Sequence, residues 1–355
     1  MSEEQEELPQ EEQEDTALFV HHQFAIPKGQ VLIRIDKFLQ NHITNSSRTK
    51  IQNAAEAGCI HVNGKPVKSN YKIKPGDDVT IMMPDPPRNT ELIPQNIPID
   101  ILFEDDDIII INKEAGMVVH PGFGNYEGTL MNALVYHFQN LPINKTQKVE
   151  AELRPGLVHR IDKNTSGIIV IAKNELAMTR MAKKFFDRDI DRKYVAIVWG
   201  NLAEDKGTIK GNIGRSLKDR MKMTVFPNGD HGKHAVTHWK VLERFGYITM
   251  IECKLETGRT HQIRVHLEYI GHPLFNDERY GGDRILKGTT FTKYRQFVNN
   301  CFEILPRHAL HAKSLGFKHP TTGKYIQFDS DLPKDMQALI EKWRAYAVNR
   351  KLEEE

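Results

Sequence analysis

The chain has 355 residues, of which 39% are hydrophobic and 27% charged, so it holds enough apolar material for two or three domains and is not disordered as a whole. Its formal net charge of +2 hides an asymmetry, because residues 1–15 carry eight acids and no base and the other 340 residues therefore have a net charge of +10. A basic body favours a polyanionic partner such as nucleic acid.

Several classes of protein are excluded by simple patterns. The three cysteines (Cys59, Cys253 and Cys301) are far apart and form no CxxC, which argues against a disulfide framework and a zinc knuckle. The N-terminus is acidic and has no apolar stretch typical of a signal peptide. The longest purely aliphatic run, Ile108–Ile111, is far too short for a membrane span. We therefore expect a soluble, cytoplasmic protein that does not contact a membrane.

The first region, residues 1–30, is rich in Glu and Gln. Such a segment buries too little apolar surface to offset the entropy lost on ordering. We predict a disordered acidic tail over this range.

Residues 31–84 predict a compact α+β module. Ile35, Phe38 and Leu39 recur at helical spacing, and Ser46 or Ser47 follows as a cap for a second helix. Short strands and tight turns complete the module. It carries eight Lys or Arg against four Asp or Glu. Its candidate phosphate-binding residues lie on the first helix or open the second: Arg34, Lys37, Arg48 and Lys50. A merely solvated basic face explains the same pattern.

A Pro-rich linker is predicted over residues 85–98, and a larger domain over residues 99–352. In that domain Ile99–Phe103 and Ile108–Asn112 flank an acidic turn and predict a hairpin. Helices are predicted over 129–138, 174–186, 260–270 and 333–351, and strands over 193–198, 235–242 and 247–254. Because strands and helices do not alternate regularly, we expect an α+β fold around a mixed, mostly antiparallel sheet.

The densest cluster of polar residues follows Gly156, in the stretch GLVHRIDKNTSG (156–167) before an apolar strand. Loops next to a rigid strand commonly carry catalytic groups. Asp162 lies between Arg160 and Lys163, and we expect its pKa to fall if both cations approach it. An ionised carboxylate held in this way could act as a nucleophile or an electrostatic stabiliser. A surface ion pair that caps a turn is the alternative.

Two other stretches carry candidate groups. In TGRTHQIRVHL (257–267), His261 and Arg264 are three apart and share one helix face, which suits a carboxylate or a phosphate. In RKYVAIVWG (192–200), Tyr194 is the one tyrosine on an aliphatic strand, where core packing is the alternative to catalysis.

Common cofactor motifs are missing. The sequence has no HExxH, no GxxxxGK[ST] and no GxSxG, and the glycines of residues 122–128 miss the dinucleotide fingerprint by one residue. These patterns indicate neither a metal nor a nucleotide cofactor.

Taken together, HRIDKNTSG (159–167), RKYVAIVWG (192–200) and TGRTHQIRVHL (257–267) resemble the RluA-type family of RNA pseudouridine synthases. AGMVVHPG (115–122), GHPL (271–274) and RHALHA (307–312) fit further motifs of that family. Residues 31–84 are similar to the S4-type RNA-binding module of its RluD-like branch. Departures from the family pattern are Ile161 in place of Leu, Glu114 in place of Pro and His308 in place of Gln.

The resemblance implies isomerisation of uridine to pseudouridine without metal or organic cofactor. It implies that Asp162 detaches the base, that Tyr194 stacks on the uracil and transfers a proton, and that Arg264 pairs with Asp162. Arg160 would fill the gap left by the flipped nucleotide. The candidate RNA-binding residues are Arg160, His159, Arg34, Lys37, Arg48 and Lys50.

The expected partner is large-subunit (23S) ribosomal RNA or its assembly precursor, bound by a monomer. Three alternatives stay open: a synthase for another RNA such as transfer RNA, a catalytically idle RNA-binding or ribosome-assembly protein, and a methyltransferase. The absence of a Gly-rich cofactor loop argues against the last, and the intact Asp162, Tyr194 and Arg264 argue against the second.

Overall fold

The computed structural model describes residues 19–43, 46–83, 92–122, 124–139, 156–219 and 221–354. The chain divides between Glu91 and Leu92 into two compact units. Within the described ranges, no helix is both long enough and apolar enough to cross a lipid bilayer.

The N-terminal unit is a small α+β module. Its elements, in chain order, are β1 (Phe19–Ala25), β2 (Ile33–Arg34), α1 (Ile35–His42), α2 (Arg48–Glu56), β3 (Ile60–Val62), β4 (Lys65–Pro66), β5 (Lys72–Ile73) and β6 (Asp78–Met83). One sheet has the strand order β1-β6-β3-β4 with antiparallel pairs, and β2 pairs antiparallel with β5.

Both predicted helices of this unit are confirmed. Ile35 and Leu39 of α1 and Ile51 of α2 are buried in one apolar core with the strands. The Ser47 side chain accepts a hydrogen bond from the backbone N–H of Lys50 at 3.3 Å, so Ser47 is the N-cap of α2. The cap removes one of the unsatisfied N–H groups at the helix start.

The prediction that the acidic tail extends to residue 30 is wrong. Residues 19–25 form β1, which pairs antiparallel with β6, and Ile26 behind it is buried. The physical reason is composition: the segment FVHHQFA is aromatic and β-branched rather than acidic, and such residues favour strands. Residues 1–18 lie outside the described residues.

The predicted linker over 85–98 also ends too late. Its first part, residues 85–91, lies outside the described residues. Residues 92–98 belong to the C-terminal unit and are bonded to it. The backbone N–H of Gln95 donates to the carbonyl of Asn132 at 3.1 Å, and the Asn132 amide donates to the carbonyl of Ile93 at 2.9 Å. These bonds tie the segment down, so the C-terminal unit begins at Leu92 rather than at Ile99.

The C-terminal unit is built around one large sheet. Its elements are β7 (Ile101–Glu104), β8 (Ile108–Lys113), α3 (Leu130–Gln139), β9 (Gly156–Leu157), β10 (Ser166–Ala172), α4 (Glu175–Asp187), β11 (Asp191–Trp199), β12 (Lys206–Arg215), β13 (Met223–Phe226), β14 (Lys233–Arg244), β15 (Ile248–Leu255), α5 (Gln262–Tyr269), α6 (Thr292–Ile304), β16 (Leu310–Lys318), β17 (Tyr325–Asp329) and α7 (Lys334–Glu354).

The strands follow the order β13-β12-β14-β15-β11-β16-β10-β8-β7, with β17 beside β16 and β9 beside β10. Among the described strand pairs of this sheet, β10 with β16 is parallel and the others are antiparallel. The predicted α+β class with a mixed, mostly antiparallel sheet is therefore confirmed.

Alternation along the strands gives the sheet two buried faces. On β11, Tyr194 and Ala196 belong to one apolar cluster, while Val195 and Ile197 belong to another that includes Trp343 of α7. Burial on both faces explains why these strands read as continuous apolar runs.

The sequence predictions for individual elements hold within a few residues. The hairpin of β7 and β8, the helices α3, α4, α5 and α7, and the strands β11, β14 and β15 all lie where the periodicity indicated. The helix α6 and the strands β12, β13, β16 and β17 were not predicted.

Candidate active site

Strand pairing brings two distant motifs to the same level of the sheet. Tyr194 on β11 lies opposite Ala312 on β16, and Ala312 lies opposite Gly167 on β10. Two strand spacings separate Tyr194 from Gly167, roughly 10 Å. Asp162 belongs to the loop that enters β10, so the loop and the tyrosine meet above one region of the sheet.

Gly167 makes this close approach possible. Its φ is +108°, a conformation that L residues rarely adopt, and a Cβ at this position would collide with the backbone of Ala312. The TSG part of the motif therefore keeps β10 and β16 close together beneath Asp162.

Arg264 on α5 is the ion-pair partner of Asp162. Its Nη1 donates to Asp162 Oδ2 at 3.0 Å, while Nε and Nη2 donate to the two carboxylate oxygens of Asp277 at 2.7 and 2.8 Å. Burial disfavours the guanidinium charge, but Asp277 and Asp162 outweigh it and raise the pKa of Arg264. The expected pairing with Asp162 is present, and Asp277 adds a buried second carboxylate.

The cations next to Asp162 in the sequence do not pair with it. Lys163 Nζ donates to Asn125 Oδ1 at 3.1 Å, and Arg160 is exposed and forms no ion pair with any described residue. The surface ion pair proposed as the alternative role of Asp162 is thus not formed with either neighbour.

His261 also faces Asp162, with its Nε2 3.9 Å from Asp162 Oδ2. Its Nδ1 lies 2.8 Å from the hydroxyl of Tyr280, which accepts a hydrogen bond from the backbone N–H of Met223. If the Tyr280 hydroxyl donates to Nδ1, the imidazole carries its proton on Nε2, toward Asp162. Burial lowers the pKa of His261, opposed by Asp162, which favours this neutral form.

Tyr194 shares a pocket with these groups. The pocket is lined by Arg160, Ile161, Asp162, Thr165, Tyr194, Leu255, Arg259, His261, Gln262, Ile263, Arg264 and Leu310. Tyr194 is 8% exposed, and burial raises the pKa of its hydroxyl. The pocket thus offers a carboxylate, a neutral phenol and apolar walls, a set that suits a flat, polar base.

A wider cleft of about 870 Å³ opens on the other side of Asp162. Its charged lining residues are Arg160, Asp162, Lys163, Arg264, Asp277, Glu278, Arg279, Asp283 and Arg307. Five of these are cations, which suit a phosphate backbone, and four are acids.

Lys113 is a site residue that the sequence analysis missed. It is 1% exposed, and its Nζ donates to the carbonyls of Glu114, Met117 and Lys163 at 2.6, 2.9 and 3.0 Å. Burial, with a smaller effect of Arg307, lowers the pKa of Lys113 to about 7, against the opposing effect of Asp162. One buried amine therefore joins the loop after β8 to the loop that carries Asp162. In the sequence, Lys113 could have been singled out because it ends an otherwise apolar strand, where a buried lysine is unusual.

The late motif supports the same loop. Arg307 Nη1 donates to the carbonyl of Asn164 at 3.0 Å, and its Nε pairs with Asp335 at 2.7 Å. His308 Nε2 lies 2.9 Å from the Thr165 hydroxyl. These contacts anchor the residues immediately after Asp162.

His159 does not line the pocket or the cleft. Its Nε2 accepts a hydrogen bond from the backbone N–H of Val170 at 3.0 Å, and its ring stacks on Phe185 at 4.5 Å. Burial, together with Arg192, lowers the pKa of His159 to about 3, so it is neutral. The structure gives it a packing role beside β10.

In the N-terminal unit, two of the predicted RNA-binding residues share a buried carboxylate. Arg34 and Arg48 both donate to Asp36 Oδ2 at 3.0 Å, and the Asp36 side chain is fully buried. Burial raises the pKa of Asp36, but hydrogen bonds from Arg34, Arg48 and Gln52 outweigh it and lower the pKa to about 2. The Nη1 atoms of both arginines donate to no described residue. Asp36 therefore fixes two guanidinium groups at the surface.

One group of possible metal ligands, Asp105, Asp107 and His319, lies elsewhere in the C-terminal unit. His319 Nδ1 accepts from the backbone N–H groups of Thr321 and Thr322, and its Nε2 lies 2.9 Å from Asp105. A neutral imidazole that accepts at Nδ1 keeps its proton on Nε2 and has no lone pair for a metal there. The group is a hydrogen-bonded link between two turns.

Comparison with known proteins identifies the family. Residues 107–269 match the family of RNA pseudouridylate synthases, and residues 33–79 match the S4 domain. An uncharacterized RNA pseudouridine synthase of Chlorobaculum parvum is 48% identical over 90% of this chain and 96% of its own length. The ribosomal large subunit pseudouridine synthase D of Zymomonas mobilis is 41% identical over 86% of this chain and 92% of its own.

A solved structure supports the fold. The human RNA pseudouridylate synthase domain containing 4 aligns with a TM-score of 0.50 at 23% identity, over 69% of this chain and 93% of that one. With relatives this similar over nearly their whole length, the chain belongs to the RNA pseudouridine synthase family.

Proposed function

We propose that this enzyme isomerises uridines of large-subunit ribosomal RNA, with Asp162 as the catalytic carboxylate, Tyr194 as the proton-transfer group and Arg264 as the residue that positions Asp162. The observation that carries the proposal is the single pocket in which Arg264 holds Asp162 at 3.0 Å next to the buried Tyr194. The isomerisation breaks the N1–C1′ bond, forms a C5–C1′ bond, and moves one proton from C5 to N1.

The two carboxylate oxygens of Asp162 have different roles in this proposal. Oδ2 accepts from Arg264, which fixes the side-chain rotamer, and the remaining carboxylate capacity is directed at C1′ of the ribose. There it acts on the positive charge that develops at C1′ as the base leaves, by covalent bonding or by electrostatic stabilisation.

The uridine must leave the base stack before Asp162 reaches it, because C1′ is shielded inside a helix. Flipping costs roughly a few kcal/mol and least in single-stranded loops. Arg160 is exposed at the rim shared by the pocket and the cleft, a position suited to filling the gap left by the flipped base.

Ribosomal RNA is favoured as substrate by two observations. The relative from Zymomonas mobilis is named for the large ribosomal subunit, and an S4 domain precedes the synthase domain. We propose that the enzyme works in the cytoplasm, as a monomer, on the large-subunit RNA or its assembly precursor. Transfer RNA is the competing substrate, and a non-catalytic assembly role is the competing function.

The test uses the variant Asp162→Asn, which keeps the size of the side chain and removes its charge. Total RNA from a deletion strain that expresses either form is mapped for pseudouridine. We expect the wild type to restore one or more sites in large-subunit RNA and the Asn variant to restore none, with RNA binding retained. Asp187→Asn, the same change at an exposed aspartate paired with Lys183, should restore every site.

Restoration confined to transfer RNA would refute the proposed substrate. Turnover by Asp162→Asn at the wild-type rate would refute the proposed role of the carboxylate. Absence of any wild-type-dependent pseudouridine would favour the assembly role.

A further inference from the structure

Arg192 is a buried cation without a counter-charge. The residue is 8% exposed, and its Nε is buried without a hydrogen-bond partner. Its guanidinium forms no hydrogen bond or ion pair with any residue in the described ranges. The aromatic ring beneath it is Phe185, 5.5 Å from the guanidinium carbon. Arginine stays protonated in proteins, so this side chain holds a positive charge whose Nε is enclosed while Nη1 and Nη2 reach solvent.

A partly enclosed charge with no carboxylate beside it loses solvation without gaining an ion pair. The packing around Arg192 supports this view. A Cβ on Gly258, in the loop before α5, would lie 2.9 Å from Arg192 Nη1. The loop therefore passes close over the guanidinium, and glycine at this position leaves room for it.

Tyr194 is the functional neighbour of Arg192. The two are separated by one residue on β11, so their side chains point to the same face of the sheet, roughly 7 Å apart along the strand. The other charged or titratable groups around Tyr194 are Asp162, Arg160, Arg259, His261 and Arg264 in the pocket and Cys253 on β15.

The cations that line the pocket, to which Arg192 does not belong, are engaged or exposed. Arg264 is shared by Asp162 and Asp277, Arg259 Nε donates to the carbonyl of His234, and Arg160 faces solvent. Burial raises the pKa of Tyr194, Asp162 raises it further, and Arg192 opposes both. Arg192 is therefore a further positive charge near Tyr194, and among the described residues it has no carboxylate partner.

We propose that Arg192 is a positioning residue that stabilises the phenolate of Tyr194 during proton transfer. The inference depends on the proposed role of Tyr194. The phenol gives its proton to N1 of the departing base, and the O–H electron pair stays on oxygen as a phenolate. After C5 bonds to C1′, the phenolate takes the C5 proton and the phenol is restored. Arg192 compensates the phenolate charge between the two transfers, in a pocket that already holds the Asp162 carboxylate.

A double-mutant cycle tests the proposal on the full-length protein. Single-turnover rates on a ribosomal RNA fragment are measured for wild type, Arg192→Met, Tyr194→Phe and the double variant. Met keeps an unbranched stem over Phe185 and removes the charge. We expect Arg192→Met to slow the wild type about 10- to 100-fold, as loss of one stabilising charge does, and to slow Tyr194→Phe less than about threefold. Arg192→Lys should recover most of the rate.

A second variant covers the case in which Arg192→Met does not fold. Gly258→Ala displaces the guanidinium without removing it, and should slow the wild type but not Tyr194→Phe. Arg244→Met, which removes an exposed arginine bound to the carbonyl of Leu202, is the control and should leave the rate unchanged.

Equal slowing by Arg192→Met in both backgrounds, with a weaker salt dependence of RNA binding, would overturn the proposal and make Arg192 a phosphate contact. An unchanged rate in Tyr194→Phe alone would instead refute the proton-transfer role of the tyrosine. A wild type that forms no pseudouridine would refute the proposed function itself, so the three failures are distinguishable.

Discussion

Arg264 bridges two carboxylates: it donates through Nε and Nη2 to Asp277 and through Nη1 to Asp162. The bidentate pair with Asp277 fixes the plane of the guanidinium, because two parallel N–H···O bonds allow little rotation. An N–H group of Nη1 is then aimed at Asp162. Asp277 thus helps to fix the position of Asp162, the proposed catalytic carboxylate, through Arg264.

Asp277→Asn is therefore expected to impair catalysis. An Asn side chain offers one acceptor oxygen and turns an N–H₂ group toward the guanidinium, so one bond of the pair is lost. We predict a loss in kcat of about 10- to 100-fold, since small misplacements of catalytic groups have effects of this size. The free energy of unfolding should fall by about 3 kcal/mol, as for other broken buried pairs. Single-turnover kinetics and urea unfolding measure the two effects.

The control for this variant is Glu243→Gln, which breaks the exposed pair between Glu243 and Arg344. Exposed pairs contribute about 0–1 kcal/mol, and this one joins β14 to α7 outside the candidate active site. An Asp277→Asn enzyme with wild-type kcat would show that Arg264 holds its position by other contacts.

Lys113 gives a second prediction. Lys113→Met has a side chain of similar length but no N–H groups, so the carbonyls of Glu114 and Met117 lose their buried donor. The carbonyl of Lys163 loses the bond from Lys113 but still accepts from the backbone N–H of Gly116 at 2.9 Å. Each unsatisfied buried acceptor costs about 1–3 kcal/mol. We expect a destabilisation of about 3 kcal/mol or more by urea unfolding, and a lower kcat because the Asp162 loop loses its anchor. A fully active, fully stable Met variant would contradict this role.

Motif spacing predicts the groups that we propose to act directly, because each lies in a short contiguous stretch around Asp162, Tyr194 or Arg264. It does not predict their supports. Arg264 and Asp277 are 13 residues apart, and Lys113 reaches a carbonyl 50 residues away. Only the folded sheet brings such positions together. A single sequence shows neither a missing counter-charge nor a shared carboxylate, so the environments of Arg192 and Asp36 also required the structure.

The same limit applies to the fold. Helices with apolar residues at regular spacing and strands between clear turns were predicted within a few residues. Strand β1 was missed because the neighbouring acidic residues dominated the composition of the first 30. Strand β16 was missed because its sequence LHAKSLGFK carries polar residues, His311 among them, that the fold buries.

Three histidines, of which His266 and His311 are buried and His159 is half-buried, predict loss of stability in mild acid. Burial lowers the pKa of His266 and His311 to about 4 and that of His159 to about 3, from an ordinary value of 6.5. As the pH falls below 6.5, the unfolded chain takes up protons that the folded chain does not. Stability that is present above pH 6.5 is therefore lost toward pH 4, by at most about 1.4 kcal/mol per pH unit for each histidine.

Tryptophan fluorescence measures this effect in the C-terminal unit, because Trp199, Trp239 and Trp343 all belong to it. Urea midpoints are compared at pH 7, 6 and 5, above the range in which most carboxylates titrate. The His311→Gln variant lacks one of the three titrating groups, so its free energy of unfolding should fall less steeply with pH, by the contribution of one proton. Equal midpoints at pH 7 and pH 5 would contradict the prediction.

The last prediction concerns the N-terminal unit, in which Asp36 fixes Arg34 and Arg48 at the surface and Lys37 and Lys50 lie nearby in sequence. We expect a truncated protein that begins at Glu91 to fold, because it keeps Leu92 and the segment bonded to Asn132. It should retain activity on a short stem-loop and bind long ribosomal RNA more weakly. If the unit supplies about two to four phosphate contacts, the slope of log affinity against log salt should flatten by roughly that number.

Salt titration of RNA binding decides this last point, with two comparison proteins. Deletion of residues 1–15 removes eight negative charges and should tighten non-specific binding slightly. Asp36→Asn in the full chain keeps all the cations but loosens Arg34 and Arg48, so it should weaken binding less than the truncation does. Asn still accepts one hydrogen bond but carries no charge to hold two guanidinium groups. If the truncated protein has the same salt slope as the full chain, the N-terminal unit contributes no phosphate contacts, and its basic face serves folding or binds a protein.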